Sequence, residues 1–414
     1  MQQDFYVYGQ KLTFVPVPLK REGQVRGMRE HVYLRPMPRL HLVSFNIPYP
    51  PDQGGLVDVY AKICALKEAG AEVVLHCYEY NRAHASELEE HCAEVHYYPR
   101  HKNLFSLFSL LPFIVYSRRS AALEKYFSEL GNEEPVLLEG LHTAYYLGKK
   151  ALQGKKVWLR THNVEHRYYA GLAEAEPGLL KKWFFRLEAF KLKRFERKLA
   201  LADGLFCISA ADEEHFRIRN RNTRLVSAFH LENEVRSQPG LGNFAMYHGS
   251  LDVPENYRAA LWLVNEVFAE SAVPLHIVGN RAPASLRAVI EKHPHIQLIE
   301  NAGPQQIQEM MAEAHLHVLP TFQATGIKLK LLHALFAGRF CIVNPPMVLG
   351  TGLEEYCHIA PDAAEMRYLV EKYMQLPFTE SDLQQRKKLN ESIFSNRVGA
   401  RTVLAALGLA QYTV

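Results

Sequence analysis

Apolar and polar residues alternate along this chain in blocks. The run LHLVSFNI (Leu40 to Ile47) is nearly continuous in apolar residues and ends on the breaker cluster PYPPDQGG, which predicts a buried strand followed by a turn. Apolar positions then recur at Leu56, Val59, Tyr60, Ile63 and Leu66, the spacing of one helix face, until Gly70 closes the run. AEVVLHCYEY predicts the next strand. Strand, Gly-rich turn, helix and strand form a βαβ unit, which implies a parallel sheet covered by helices. Further strands are predicted at Pro135 to Gly140, Lys156 to His162 and Gly204 to Ser209.

The second half repeats this grammar. Strands are predicted at Phe244 to Ser250, Pro274 to Asn280, Ile296 to Asn301, Leu316 to Thr321 and Phe340 to Pro345, with a polar, Gly-containing hinge at EVRSQPGLGN between Glu234 and Asn243. The fold class is therefore α/β, with two doubly wound Rossmann-like domains, 37–233 and 244–390, facing a cleft; such sheets bind ligands outside the carboxyl ends of their strands. Residues 1–36 are basic and Pro-dotted, and they read as an extension whose deletion should leave Tm almost unchanged. Residues 391–414 contain a last helical stretch, about Ser392 to Leu409, able to pack on either domain or cross back to the first.

Composition narrows the classes. Of 414 residues, 48% are hydrophobic and 22% charged, which excludes wholesale disorder. A formal charge of +4 does not call for a nucleic-acid partner. The longest apolar stretch, Leu104 to Tyr116, is interrupted by Pro112 and falls short of a membrane span. The first twelve residues hold no apolar core of signal-peptide kind. Six cysteines form no CxxC pair or metal-ligand spacing, and His315 and His317 alternate across a strand and so make no metal pair. A reduced, cytoplasmic protein without a metal is expected.

The chemistry concentrates in PTFQATGIKLKLLHALFAGR, Pro320 to Arg339. A strand ends, a turn carries Thr325, Gly326 and Ile327, and a helix runs to Gly338. Free N–H groups at a helix start make an anion site. Lys328 and Lys330 occupy the first turn, where the dipole alone prefers acids, so they point either to an anionic ligand or to a solvated helix face.

This segment resembles the donor-binding segment of family-four retaining glycosyltransferases of the GT-B fold, in its G-T-K-x-K variant. Five further stretches resemble that family in the same order: Pro50 to Gly55, Arg160 to Glu165 (RTHNVE), Ala202 to Ser209, His248 to Asn256, and Gly350 to Leu353. The resemblance implies transfer of a sugar from a UDP- or GDP-linked donor to a glycan or lipid-linked acceptor, with retention of configuration and no cofactor. It places Gly54, Gly55, Gly249, Ser250, Asn256, Thr325, Gly326, Ile327, Lys328, Lys330 and His333 at the donor, with His162 and Lys328 as catalytic residues and no metal. Glycine there lets backbone approach a diphosphate, whose growing negative charge must be met by N–H groups and lysines.

Several positions stay open. His162 either points into the cleft or caps the next helix together with Asn163, while Glu165 suits a capping box. Asn256 stands near where relatives carry a basic residue. His333 replaces the family's ribose-binding glutamate, which predicts weak donor binding that changes between roughly pH 6 and 7.5. A degenerate GT-B protein with a binding or regulatory role is the alternative; a GT-B epimerase or phosphorylase fits less well. The stretch 181–198 carries eight cations against Glu188 and Glu196, with Trp183, Phe184, Leu187, Phe190 and Phe195 as an apolar side. It reads as a surface helix or, with Leu104 to Tyr116, Arg118 and Arg119, as a peripheral membrane contact at the inner face.

Overall fold

The computed structural model describes residues 5–7, 10–12, 39–101, 109–176, 178–322 and 328–409. Residues 1–36 are one compact unit and 37–414 another. In the first, β1 (Phe5–Val7) pairs antiparallel with β2 (Gln10–Leu12).

The second unit holds two parallel sheets. The first contains β3 (Arg39–Ser44), β4 (Glu72–Glu79), β5 (Glu94–Pro99), β6 (Val136–Glu139), β7 (Val157–Arg160), β8 (Gly204–Cys207) and β9 (Thr223–Leu225), in the order β5-β4-β3-β6-β7-β8-β9. The second contains β10 (Ala245–His248), β11 (Leu275–Val278), β12 (Ile296–Ile299), β13 (Leu316–Leu319), β14 (Phe340–Val343) and β15 (His358–Ile359), in the order β12-β11-β10-β13-β14-β15. Both have the doubly wound arrangement in which strand order reverses once, between β3 and β6 and between β10 and β13. β6, β7 and β8 are buried at every position, as a sheet covered on both faces requires. Tight cover explains Gly204: a Cβ there would stand 2.5 Å from the Trp158 ring on the neighbouring strand.

The first strand stops at Ser44, three residues before the predicted end. There the Ser44 hydroxyl donates to the Asn46 carbonyl (2.5 Å) and the Ile47 N–H donates to Asn46 Oδ1 (2.9 Å), so side chains turn the backbone away from the ladder. Helix α1 (Gly54–Glu68) follows, beginning at Gly54. Other helices used below are α2 (Glu165–Ala175), α3 (Leu179–Phe195), α4 (Ala210–Arg217), α5 (Pro254–Trp262), α6 (Leu329–Ala337) and α7 (Asn396–Leu407). α7 buries Ala400, Val403, Leu404 and Leu407 in the same apolar cluster as Leu40, Val59 and Leu66, so the chain's last helix packs on the first sheet's layer. Gly408 ends it in the left-handed conformation (φ 80°).

Candidate functional site

The reversal in the second sheet puts the ends of β10 and β13 side by side. The first leads into His248, Gly249 and Ser250, and the second into the donor-like segment. Thr325, Gly326 and Ile327 lie outside the described residues. Lys330 lies in the first turn of α6, as the sequence predicts, whereas Lys328 stands one place earlier, at the N-cap. Lys328 Nζ sits 3.5 Å from Glu255 Oε1, and the Thr321 hydroxyl donates to the same oxygen. Lys330 Nζ donates to Asn256 Oδ1 (2.9 Å) and to the Tyr247 hydroxyl (3.2 Å). Burial lowers its pKa to about 8, with Lys328 contributing in the same direction. Two lysines therefore stand together at a helix N-terminus, one of them half stripped of water. That is the electrostatic setting of an anion site.

Gly249 and Ser250 border this pair. Asn256 Nδ2 donates to the Ser250 carbonyl (3.0 Å), and the Ser250 hydroxyl is spent on Asp252 (2.8 Å). The side chain of Asn256 thus ties the loop to Lys330. Gly249 rests on β11: a Cβ at Gly279 would fall 2.0 Å from the Gly249 carbonyl oxygen. Gly279→Ala must displace that loop and is expected to cost about 1–3 kcal/mol, as overpacking does, read from a urea transition. An unchanged midpoint would show that the loop has no fixed seat.

The first domain meets this corner. A Cβ on Gly54 would touch Leu329 Cδ1 of α6 at 3.8 Å, and one on Gly55 would reach the Phe45 ring at 3.0 Å. Gly350, in the Gly-rich return, comes as near to Ala211 of α4, 3.9 Å from its would-be Cβ. The first βα loop thus meets the start of α6, and the Gly-rich return meets α4, each from the opposite domain.

His162 lies at the end of β7, and its ring turns inward. Nε2 is 3.0 Å from Glu139 Oε2 and Nδ1 is 3.8 Å from Asp58 Oδ2. The expected orientation into the cleft is therefore absent: buried carboxylates attract both nitrogens away from it. The capping alternative fails too, because the N-cap of α2 is Val164, without a side-chain cap, and Glu165 is the first helical residue, not the third. Burial instead pushes the Glu165 carboxyl up to about 8, with Glu196 adding to the rise against Arg118.

Asp58, Glu139 and His162 bring ligand atoms within 4.8 Å of one another, the spread of a metal site. Lys62 is the cation among them: its Nζ donates to Asp58 Oδ2 (3.0 Å) and Glu139 Oε1 (2.7 Å). Arg160 completes the cluster through Asp58 (2.8 and 3.2 Å) and the Val226 and Ser227 carbonyls (2.6 and 2.8 Å). His166, Glu196 and His215 converge similarly, with the Glu196 carboxylate between the two imidazoles.

His333 sits on α6 with Nε2 shielded and unpartnered. Burial, reinforced by His230, lowers its pKa to about 3. That direction stands against the expected change between pH 6 and 7.5.

Glu255 and Tyr247 border the lysine pair, and sequence reasoning gave neither a site role; Arg100 was not singled out, and Arg118 was read only as part of a membrane contact. For Glu255 a signal existed, an acid after Pro254 in a helix's first turn. Tyr247 carried none, being one apolar strand position among others.

Residues 242–371 match the family model described as glycosyl transferases group 1. A Klebsiella pneumoniae protein described as an uncharacterized 44.6 kDa protein in the cps region is 26% identical over 342 residues, covering 76% of this chain and 85% of that one. Among solved structures, the UDP-forming α,α-trehalose-phosphate synthase of Burkholderia xenovorans, in complex with glucose-6-phosphate, superposes with a TM-score of 0.57 at 12% identity, over 90% of this chain and 100% of that one. Arabidopsis thaliana UGT89C1, complexed with UDP-L-rhamnose, gives 0.54 at 14% identity, over 90% and 99%. The chain therefore has the GT-B fold, and residues 242–371 are similar to group 1 glycosyl transferases.

Proposed function

We propose that the protein transfers a sugar from a nucleoside-diphosphate donor, UDP- or GDP-linked, to a glycan or lipid-linked acceptor, with retention of configuration as in family four and without a metal. The observation that carries this is the pair Lys328 and Lys330 at the start of α6, facing Gly249 and Ser250 across the strand reversal. The donor's diphosphate lies against the lysines and the free N–H groups of α6, which stabilise the charge growing on the leaving phosphate. The backbone of Gly54 and Gly55 closes the other side, and Thr325, Gly326 and Ile327 are proposed as further donor residues from their place in the sequence alone. His162, turned inward to Glu139, supports that wall from behind. The relative from the cps region is consistent with a role in polysaccharide biosynthesis. The direct test is release of UDP or GDP from sugar donors in EDTA, with the anomeric configuration of product read by NMR. Inversion would remove the family-four assignment, and absolute dependence on added metal would remove the metal-free one.

The degenerate alternative draws on His333, which offers no carboxylate to the ribose. His333→Glu is expected to strengthen UDP or GDP binding. Failure of both proteins to bind any nucleotide favours the non-catalytic reading.

Lys330 sets a different pH dependence. With its pKa near 8, the free protein loses the ammonium above that value, and an anion binds the charged form. Diphosphate affinity should fall as pH rises from 7.5 to 9.5 by up to about tenfold per unit, and Lys330→Met should flatten the curve.

The membrane contact also belongs to this reading. α2 and α3 form an antiparallel pair, with Tyr169 against Phe185 (6.0 Å). Phe184 and Phe195 turn inward, contrary to the apolar side read from sequence, whereas Leu180 (88% exposed), Trp183 (66%), Leu187 and Phe190 face solvent. Both acids of the stretch, Glu188 and Glu196, are fully buried, while Lys181, Arg186, Lys193, Arg194 and Arg197 are exposed. Exposed greasy and cationic groups on one helix suit an anionic bilayer surface. Arg118 is buried and takes no part, and residues 104–108 lie outside the described residues. No helix among the described residues is long and apolar enough to cross a membrane. Vesicles containing phosphatidylglycerol should sediment the protein and blue-shift Trp183, and replacing Lys181, Arg186 and Lys193 by Gln should abolish this; equal behaviour on neutral vesicles would contradict it.

A further inference from the structure

The strand reversal of the first sheet gathers cations that form no ion pair with a carboxylate among the described residues. Arg100 follows β5. Its guanidinium lies 4.2 Å from the Tyr80 ring centroid and 5.4 Å from that of Phe113, and its Nε donates to the Ser117 hydroxyl (3.0 Å). Arg118, only 4% exposed, donates through Nε to the Phe45 carbonyl and through Nη1 to the Ile114 carbonyl, both at 2.7 Å. His142, just beyond β6, stacks at a tilt on Phe45 (5.1 Å), and its buried Nδ1 has no partner. Tyr80, Arg100, Phe45 and His142 thus come from the carboxyl ends of four adjacent strands, β4, β5, β3 and β6, where a doubly wound sheet takes its ligand.

Among the described residues no carboxylate forms an ion pair with Arg100 or Arg118. The two arginines feel one another: burial, and then Arg100, lowers Arg118 to about 9. His142 is held well below its ordinary value by burial and by Arg118, His162 and Arg100. The carboxyl whose titration Arg118 moves is Glu165, and that one is itself pushed up to about 8 and is largely neutral at pH 7. Buried charges ordinarily carry a partner, and two like charges held together without one await an anion.

We infer that Arg100 and Arg118, with His142 beside them, bind an anionic group of the acceptor, a phosphate ester or diphosphate, on the first domain's side of the cleft. The inference rests on the proposed function in that it assigns this side to the acceptor, but the anion site itself needs no donor. A planar guanidinium meets phosphate oxygens two at a time. The rings of Tyr80, Phe113 and Phe45 line the same corner and suit the carbon skeleton that bears the phosphate. One phosphate chemistry has two sources here, a free sugar phosphate or the head of a lipid carrier.

The test uses the full chain and calorimetry with glucose 1-phosphate, and with farnesyl phosphate against farnesol in detergent micelles. At least one phosphorylated probe should bind, the alcohol should not, and the probe that binds names the source. Arg100→Gln, at a half-buried position, should weaken that binding by roughly ten- to a hundredfold and leave UDP or GDP affinity unchanged. Arg118→Lys keeps a charge in the buried position but loses the paired geometry, and it should weaken binding less. A loss caused by Lys328→Ala and not by Arg100→Gln would mean that the probe occupies the donor site, and the inference falls. It falls equally if neither phosphorylated probe binds. Binding that depends on Arg100 in a protein that binds no nucleotide would keep the anion site and overturn the donor reading instead.

Discussion

Lys328→Ala is expected to weaken binding of a nucleoside diphosphate by roughly ten- to a hundredfold and to leave binding of the matching nucleoside unchanged. The asymmetry follows from position. Lys328 is the N-cap of α6, beside Lys330 and against Glu255 at 3.5 Å, so its charge is aimed where a diphosphate would lie and away from a base or ribose. A charge-assisted hydrogen bond is worth on the order of 1.5–3 kcal/mol. Glu255 gives an internal control. Glu255→Gln releases Lys328 from its present partner, so diphosphate affinity should stay equal or rise while Lys328→Ala lowers it. Calorimetry on four ligands, the nucleoside and its diphosphate in the uridine and guanosine series, decides the matter. Equal loss for nucleoside and diphosphate would indicate a general folding defect and remove Lys328 from the site.

Asp58→Ala is expected to destabilise the protein by about 3–5 kcal/mol, the cost of breaking a buried ion pair from one side. Asp58 is 2% exposed and accepts from Arg160, from Lys62 and from the Phe229 N–H (2.7 Å). It thereby joins α1, β7 and the segment leaving the first sheet. Its removal leaves the fully buried Arg160 with the Val226 and Ser227 carbonyls but no carboxylate, and Lys62 with Glu139 alone. Burial alone would raise the Asp58 pKa, but Arg160 and Lys62 outweigh it and hold the carboxyl well below the usual range. The folded pKa is the depressed one. Its contribution is therefore complete above the unfolded value of about 3.9 and is lost as pH falls below that. Asp58→Asn should lack this part of the acid limb while keeping the side chain's shape. A urea midpoint within experimental error of the wild type would show that the cluster is dispensable.

Both sheets were legible because their strands are short apolar runs cut by glycine and proline, and the strands missed show what that signal lacks. β5 (EVHYYP) is a mostly half-exposed edge strand, β9 is three residues long and β15 two, so none forms an apolar block. The helix that carries Lys328 and Lys330 was legible through the order Lys328, Lys330 and Gly338, which encodes a helix start and stop locally. The inward turn of His162 was not. It depends on Glu139 and Asp58, 23 residues away or more, and no local pattern announces a buried carboxylate. The same holds for Arg118, which reads as a surface cation beside Arg119 until the fold places it against the carbonyls of Phe45 and Ile114. His333 showed the identity of the departure from the family but not its burial, and burial is what removes its titration from the neutral range.

The central claim is that the corner formed by Lys328, Lys330, Gly249 and Ser250 receives a nucleoside diphosphate, and calorimetric titration of the wild-type chain with UDP and with GDP at pH 7 tests it most directly. The account predicts that one of them binds at a single site, at least tenfold more tightly than its nucleoside, and with an affinity that declines above pH 8. A folded protein that binds neither between pH 6 and 8 would contradict it.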